Sequence, residues 1–330
     1  MKLRQLLDGQ ECVPCPLCGG TQFKPLARTD RYRMGITTAE CSGCGFIMTN
    51  PMPTAEGLAD FYRNHYRKFY QKEDEPSVGE IRRWGMDVRA EQSVDFLAMQ
   101  RILNGNTRVL DVGCGYGALL RAIHDRCPDA QLVGVEPGAK SAAFVRRYVP
   151  CEIYSALDQV ESTRTFDLVI VNHVLEHVRD PIRFLKQVRE LIGPNGRVYI
   201  DVPDAARYDS LVHLHIAHLY HFTAHTLRSM LKRVGLTVSF LEEYSPPSHP
   251  VSIRCLAQRA ALGRDEGVSM KPVPPRPNIA AHKIRDIGRG AWRYHFRNSR
   301  LLRLVVWPFR PFLRLFVYAK EPADSRNTAA

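Results

Sequence analysis

Apolar residues recur along the chain in two rhythms that change near residue 104. From Thr54 to Leu103 they come at spacings of three and four, in Ala55–Tyr66 and Glu80–Leu103, which predicts helices. After Asn104-Gly105-Asn106 they gather into short runs at 108–112, 131–135, 151–154, 166–171 and 197–202, separated by helical stretches. Strands alternating with helices are the pattern of βαβ units, so the expected fold class is α/β with a doubly wound parallel sheet. Two further β-like runs, Leu236–Glu242 and Val251–Gln258, flank Ser245-Pro246-Pro247-Ser248-His249-Pro250. They predict that the sheet ends in a hairpin with an antiparallel strand.

The two ends read differently. Residues 12–50 are rich in Cys, Gly, Pro and Thr, and Pro51-Met52-Pro53 closes them like a linker. Residues 264–278 are charged and proline-rich, and from Ile279 the chain reads as a basic helix. The expected organisation is a cysteine module over 1–53, a helical lid or linker over 54–103, the α/β domain over 104–262 and a basic amphipathic tail over 263–330.

Length and composition add bounds. A chain of 330 residues holds one full α/β domain and a smaller appendage. Neither an apolar leader nor a run of ~18 apolar residues stands in the sequence, so a cytoplasmic location is expected. The nine cysteines include two Cys-x-x-Cys pairs, which suits a reducing compartment and a metal more than disulfides. The net charge of +12 is concentrated near the C-terminus, where residues 271–320 carry twelve Lys or Arg against the single acid Asp286. Nucleic acid, anionic lipid, a phosphorylated substrate or plain solvent are all partners for such a stretch.

The most informative turn is Val109-Leu110-Asp111-Val112-Gly113-Cys114-Gly115-Tyr116-Gly117, an apolar strand entering a glycine turn that opens a helix. Missing Cβ atoms let the backbone approach a nucleotide-like ligand. Gly113, Gly115 and Ala118 also satisfy the dinucleotide pattern G-x-G-x-x-G/A, so the glycines alone leave NAD open. Asp111 favours the other ligand: its carboxylate repels a pyrophosphate and attracts the ammonium and sulfonium of S-adenosylmethionine. The following strand ends in Glu136-Pro137, a carboxylate placed for the ribose hydroxyls of either cofactor.

The segment Phe166-Asp167-Leu168-Val169 with Leu175-Glu176-His177-Val178 closely resembles the class I S-adenosylmethionine-dependent methyltransferases. The likeness is to the subgroup that includes ubiquinone-biosynthesis O-methyltransferases and bacterial sugar methyltransferases, and it covers roughly residues 80–260. It implies a Rossmann-like seven-stranded sheet. It further implies that Asp111, Gly113, Gly115 and Gly117 surround the methionine part, that Glu136 and Pro137 stand at the ribose, that Asp158 reaches the adenine amine, and that Asn172 and His173 line the methyl donor.

Cys15-Pro16-Leu17-Cys18-Gly19 and Cys41-Ser42-Gly43-Cys44-Gly45 form two thiolate pairs with the spacing of a closed four-cysteine zinc site. Cys12 repeats the spacing, but the glycine after Cys18 and Cys44 favours Cys15, Cys18, Cys41 and Cys44 as the ligands of a small zinc ribbon. A saturated four-thiolate zinc has no open position, so a structural role is expected. In layout the chain is similar to sugar methyltransferases that carry a zinc module before the S-adenosylmethionine domain.

A transfer to a hydroxyl or carbon acid needs a general base. Five histidines, His213, His215, His218, His221 and His225, crowd into thirteen residues directly after the strand 197–202. His213, His215, His218 and His221 are spaced like metal ligands, but no cysteine or carboxylate stands among them, so a pocket wall is the preferred reading. The resemblance to sugar C-methyltransferases puts His218 at the second histidine of an H-E-H-x-x-Y stretch. Ala217 replaces the glutamate and His221 the tyrosine, which leaves O- and C-methylation open. His218, then His221, are the expected bases, and His177 either orients the pocket or caps its turn. Tyr62 and Tyr66 are expected in the core, with the acceptor pocket as the alternative.

Leu301–Tyr318 mixes large apolar residues with Arg303, Arg310 and Arg314, and Trp307 and Tyr318 suit a headgroup layer. An anionic-membrane anchor and a helix docked on the catalytic domain are both readings of the tail. The expected function is methylation of a sugar in polysaccharide or related glycan assembly; the alternatives are an RNA methyltransferase and a non-catalytic membrane adaptor.

Overall fold

A computed structural model describes residues 9–65, 77–246, 250–260 and 278–297. The N-terminal part holds strands β1 (Gln10–Glu11), β2 (Phe23–Ala27), β3 (Thr38–Cys41), β4 (Ile47–Thr49) and β5 (Met52–Pro53). Helix α1 (Ala55–Asp60) follows, capped by Thr54, whose hydroxyl accepts from Gly57 N, and it widens into a π-helical turn, Phe61–His65. The expected helix through Leu103 is instead two, α2 (Val78–Arg83) and α3 (Met86–Met99), because Gly85 between them adopts φ +59°.

The α/β part runs β6 (Arg108–Val112), α4 (Ala118–Arg126), β7 (Gln131–Val135), α5 (Ala139–Tyr148), β8 (Glu152–Tyr154), β9 (Phe166–Asn172), α6 (Pro181–Leu191), β10 (Ile192–Pro203), β11 (Tyr220–His221), α7 (Ala224–Arg233), β12 (Leu236–Tyr244) and β13 (Ser252–Arg259). One seven-stranded sheet takes the order β12-β13-β10-β9-β6-β7-β8. Only β13 runs against its neighbours, as the hairpin expectation required. The inner strands are apolar at almost every position because helices cover both faces. Val112, Val169, Val171 and Ile200 pack with Leu185 and Val188 of α6 and Leu227 of α7. On the other face Val109, Leu168, Ile170 and Tyr199 pack with Val94 and Leu97 of α3 and Leu120 of α4.

The cysteine module shares this core. Its sheet, β11-β4-β3-β2, takes its outer strand from the histidine-rich loop, with Tyr220 opposite Met48 and His221 opposite Ile47. Tyr220 stacks on Phe46 at 5.7 Å, and both belong to the cluster under the main sheet.

Two C-terminal helices, α8 (Ile279–Arg289) and α9 (Ala291–Arg297), continue the basic tail. Ala280, Ala281 and Ile284 of α8 are buried against Leu26, Ala27, Leu211 and Leu214, so this part docks on the protein. Its cap Asn278 donates from Nδ2 to Glu40 Oε1 (2.7 Å) and Gly45 O (2.8 Å), tying the helix to the second cysteine turn. Residues 264–277 of the expected linker 264–278, Tyr66 and the Leu301–Tyr318 segment lie outside the described residues, while Asn278 is the cap of α8. Among the described residues no helix is long and apolar enough to cross a membrane.

Candidate active site

From β6 the chain moves to β7 on one side; from β9 it moves to β10 on the other. Beyond the carboxyl ends of this central pair lies the crevice where open α/β sheets bind ligands. The glycine turn stands on one flank, with the amides of Gly113 and Cys114 donating to Val135 O at 2.8 and 3.1 Å. Gly113 has φ +77°, and a Cβ there would lie 2.5 Å from Val174 Cγ2. Gly115 has φ +57° with nothing within 4 Å of a Cβ, so its backbone faces open space that a side chain would invade.

Two carboxylates frame that space. Asp111, next to last in β6, is 3% exposed, and burial, then the charge of Glu136, push its carboxyl up to about 7. Glu136 accepts from Gly115 N at 3.0 Å and Gly138 N at 2.7 Å, which holds it against the turn. A carboxylate accepts hydrogen bonds at about four lone-pair positions, and the hydroxyls of a ribose are donors of the kind it takes. The donor set fits a cationic nucleoside: a carboxyl whose ionised form lacks a counter-charge, a carboxylate for a ribose and an open glycine backbone. Pro137 is exposed beside Glu136, and Asp158 is exposed on the short 3-10 turn after β8.

The other flank begins at Asn172, the last residue of β9, whose Oδ1 is buried without a hydrogen-bond partner. His173 follows with φ +52°, a conformation a non-glycine residue adopts only when its surroundings impose it. Its amide donates to Asp201 O (2.9 Å), its Nδ1 lies 3.3 Å from Glu176 Oε1 and its Nε2 3.7 Å from Asp201 Oδ1. Burial works against protonating His173, and the charges of Asp201 and Glu176 outweigh it, raising its pKa. For Glu176 burial acts upward, and His177 and His173 outweigh it, so its carboxyl is held below the usual range. Asp201 is pushed up by burial and accepts from the hydroxyls of Tyr244 and Tyr199.

Tertiary structure gathers some of the histidines and disperses the rest. The rings of His177 and His218 are 5.0 Å apart, both half-buried, and His215 stands 3.9 Å from His218. Burial and the surrounding histidines hold His215 and His218 well below the ordinary imidazole pKa, so both are neutral. His221 sits in β11, 6.4 Å from His218, with Nδ1 3.3 Å from Tyr208 Oη; burial pushes it down to about 3. His213 stacks on Tyr208 and pairs with Asp209, and His225 is exposed on α7. Tyr62 meets His177 edge-on at 6.4 Å. Glu176 and Asp201 join the site beside the residues expected from the sequence, each a carboxylate just beyond or near the end of a central strand.

In the N-terminal module the four expected cysteines converge. Cys15 Sγ and Cys44 Sγ are 3.6 Å apart, Cys18 Sγ and Cys41 Sγ 3.5 Å, and all four sulfurs lie within 4.8 Å of one another. Tetrahedral zinc with Zn–S about 2.3 Å needs sulfurs about 3.8 Å apart, so the donor set fits that ion. Cys12 is exposed and outside the group.

Residues 82–239 match the family described as "Methyltransferase domain". This span, just under half of the chain, is thus similar to a methyltransferase domain and has its α/β fold. A ubiquinone biosynthesis O-methyltransferase of Bradyrhizobium diazoefficiens is 31% identical over 103 residues, 29% of this chain and 40% of that protein. The Vibrio cholerae protein of the same name is 34% identical over 101 residues, 28% of this chain and 40% of its own length. The match therefore spans well under half of these relatives. The 1,6-didemethyltoxoflavin-N1-methyltransferase of Burkholderia thailandensis, solved with 1,6-didemethyltoxoflavin and S-adenosylhomocysteine, superposes with a TM-score of 0.51 at 16% identity, over 68% of this chain and 96% of its own. At that identity the likeness shows the fold alone.

Proposed function

We propose that the protein methylates a hydroxyl group of a small molecule with S-adenosylmethionine, the acceptor class being a sugar of glycan assembly. The observation that carries this reading is the opposition of two flanks across the β6/β9 switch: Asp111, Gly115 and Glu136 on one side, and His173, Glu176, His177 and His218 on the other. When bound, S-adenosylmethionine supplies an electrophilic methyl group, which needs alignment more than activation. Asp111 balances its ammonium and sulfonium, Glu136 holds its ribose, and Asn172 Oδ1 offers an acceptor beside them. The cluster of His177, His218 and Glu176 removes the acceptor's proton, and its burial keeps water from competing.

Oxygen is favoured over carbon as the target because Ala217 and His221 replace the glutamate and tyrosine of the sugar C-methyltransferase stretch. The sugar rests on the layout, a four-cysteine module ahead of the methyltransferase domain. We assign that module a structural zinc, since four thiolates leave the ion no open position. The basic C-terminal stretch is proposed to meet the pyrophosphate of the sugar carrier or an anionic membrane surface.

Calorimetric titration with S-adenosylhomocysteine, followed by assay of nucleotide sugars as acceptors, tests the reading. Micromolar binding that disappears in Asp111→Ala and Glu136→Ala supports it; absence of binding, with NADH bound instead, overturns it.

A further inference from the structure

We propose that Arg89 holds a carboxylate of the acceptor, so that the sugar methylated is a sugar acid; the inference rests on the methyl-transfer reading and names its substrate class. Arg89 stands on α3 one turn before Ser93, whose Oγ is 3.4 Å from Tyr199 Oη. Residues four apart share a helix face, and Tyr199 and Asp201 share a face of β10. Arg89 is close enough to Asp201, Tyr244 and His173 for its charge to act on all three. These groups stand at or near the carboxyl ends of β10, β12 and β9, which puts Arg89 on the acceptor flank of the crevice.

Nothing on that flank balances its charge. A guanidinium has five N–H donors, and that of Arg89 is half-buried with no hydrogen bond or ion pair to any described residue. Burial lowers its pKa by more than Tyr244 and Asp201 raise it. Asp201 is otherwise engaged: Oδ2 takes the hydroxyls of Tyr199 and Tyr244, and Oδ1 faces His173 Nε2 at 3.7 Å. Burial also pushes the Asp201 carboxyl up, towards its neutral form. A buried charge without a partner is costly, and an anionic group of the ligand removes that cost.

One guanidinium balances one charge, and its planar fork matches the two oxygens of a carboxylate. A phosphate dianion asks for a second cation, and the one beside Tyr244, Arg254, is paired with Glu242. The cofactor brings a carboxylate of its own, but Asp111 and the glycine turn hold that molecule on the opposite flank. His173 lies between Asp201 and Glu176, and Glu176 adjoins His177. A sugar acid anchored at Arg89 therefore presents its ring hydroxyls to the histidines that take the proton.

The test is calorimetry of the full-length chain saturated with S-adenosylhomocysteine. UDP-glucuronate and UDP-galacturonate are each compared with the neutral counterpart, UDP-glucose or UDP-galactose. At least one acid is expected to bind about tenfold or more tightly than its counterpart, the worth of a charge-assisted hydrogen bond. Arg89→Met should erase that preference and leave S-adenosylhomocysteine affinity within a few-fold of wild type. Acetate, a carboxylate without a sugar, is the second probe: saturation-transfer NMR should show its methyl signal with the wild type and lose it with Arg89→Met. Arg89→Gln is read in the same way should Arg89→Met fail to fold. Acids and acetate bound equally by wild type and folded variants overturn the role of Arg89. Lost S-adenosylhomocysteine binding in the variants also overturns it, moving Arg89 to the cofactor's carboxylate, and inorganic phosphate held at Arg89 more tightly than acetate overturns the choice of anion. Acetate held by Arg89 with no nucleotide sugar bound supports the anchor and overturns the sugar. A wild type that binds no S-adenosylhomocysteine fails the methyl-transfer reading, and acetate then still decides on Arg89.

Discussion

His177 donates a hydrogen bond from Nδ1 to the carbonyl oxygen of Ala217 at 2.6 Å, joining the turn after β9 to the loop that carries His218. Each segment alone positions one imidazole; the bond sets the spacing between them. Replacing His177 with alanine is therefore expected to lower kcat by about a hundredfold or more, in the range typical of a lost acid–base group. Affinity for S-adenosylhomocysteine should stay within a few-fold of wild type. Steady-state kinetics paired with calorimetry separates the two, and a variant that loses both equally would place His177 in cofactor binding instead.

Asp111 makes cofactor binding pH-dependent. With its folded pKa raised to about 7 from 3.8, the neutral form is the better one in the ligand-free protein. Its contribution to stability is thus fully present below pH 3.8 and lost as pH rises through 7. A cationic ligand reverses the preference, so binding releases a proton, and affinity should fall by up to about tenfold per unit as pH drops below 7. Titrations in buffers of different ionisation enthalpy count the proton, and Asp111→Asn should flatten the profile.

The two glycines of the turn should fail in different ways. Gly113→Ala meets Val174 at 2.5 Å as well as a φ of +77°, and should cost about 2–4 kcal/mol of stability, read from denaturant unfolding. Gly115→Ala meets no protein atom within 4 Å. It should cost only about 1–2 kcal/mol, for its positive φ, yet weaken S-adenosylhomocysteine binding more than tenfold.

Cys18→Ser should abolish binding of the proposed zinc at the N-terminal module and destabilise the fold by several kcal/mol, as loss of a structural zinc does. Because β11 pairs with β4 and Tyr220 stacks on Phe46, the loss should also lower kcat at sites distant from the cysteines. Elemental analysis, thermal melting and kinetics on one preparation check the chain of effects.

Asn278→Ala removes the cap of α8 and two hydrogen bonds to the cysteine module. The expected cost is about 1–2 kcal/mol, measurable by denaturant unfolding.

Much of this molecule was legible in its sequence. The strands 108–112 and 131–135 stand where the apolar runs placed them, since a strand buried on both faces has to be apolar throughout. The cysteine spacing identified all four members of the sulfur cluster, because each pair closes a local turn. Glu136 was legible as a carboxylate at a strand end. The break at Gly85 and the π-helical turn after Asp60 were not, as apolar spacing continues through both.

What the sequence determined by itself is whatever near neighbours decide: the rhythm of the elements, the glycine turn with its two carboxylates and the paired cysteines. What only the tertiary structure decided is which histidines meet. Five of them crowd thirteen residues with no carboxylate among them, yet His221 is drawn into the sheet of the cysteine module, His213 onto Tyr208 and His225 onto the exposed side of α7, and only His218 and His215 are left beside His177 and Glu176. The carboxylate missing from the loop comes from the turn after β9. Its arrival depends on β9 and β10 being neighbours in the sheet and on a loop crossing to pair with β4, long-range contacts that local spacing does not encode.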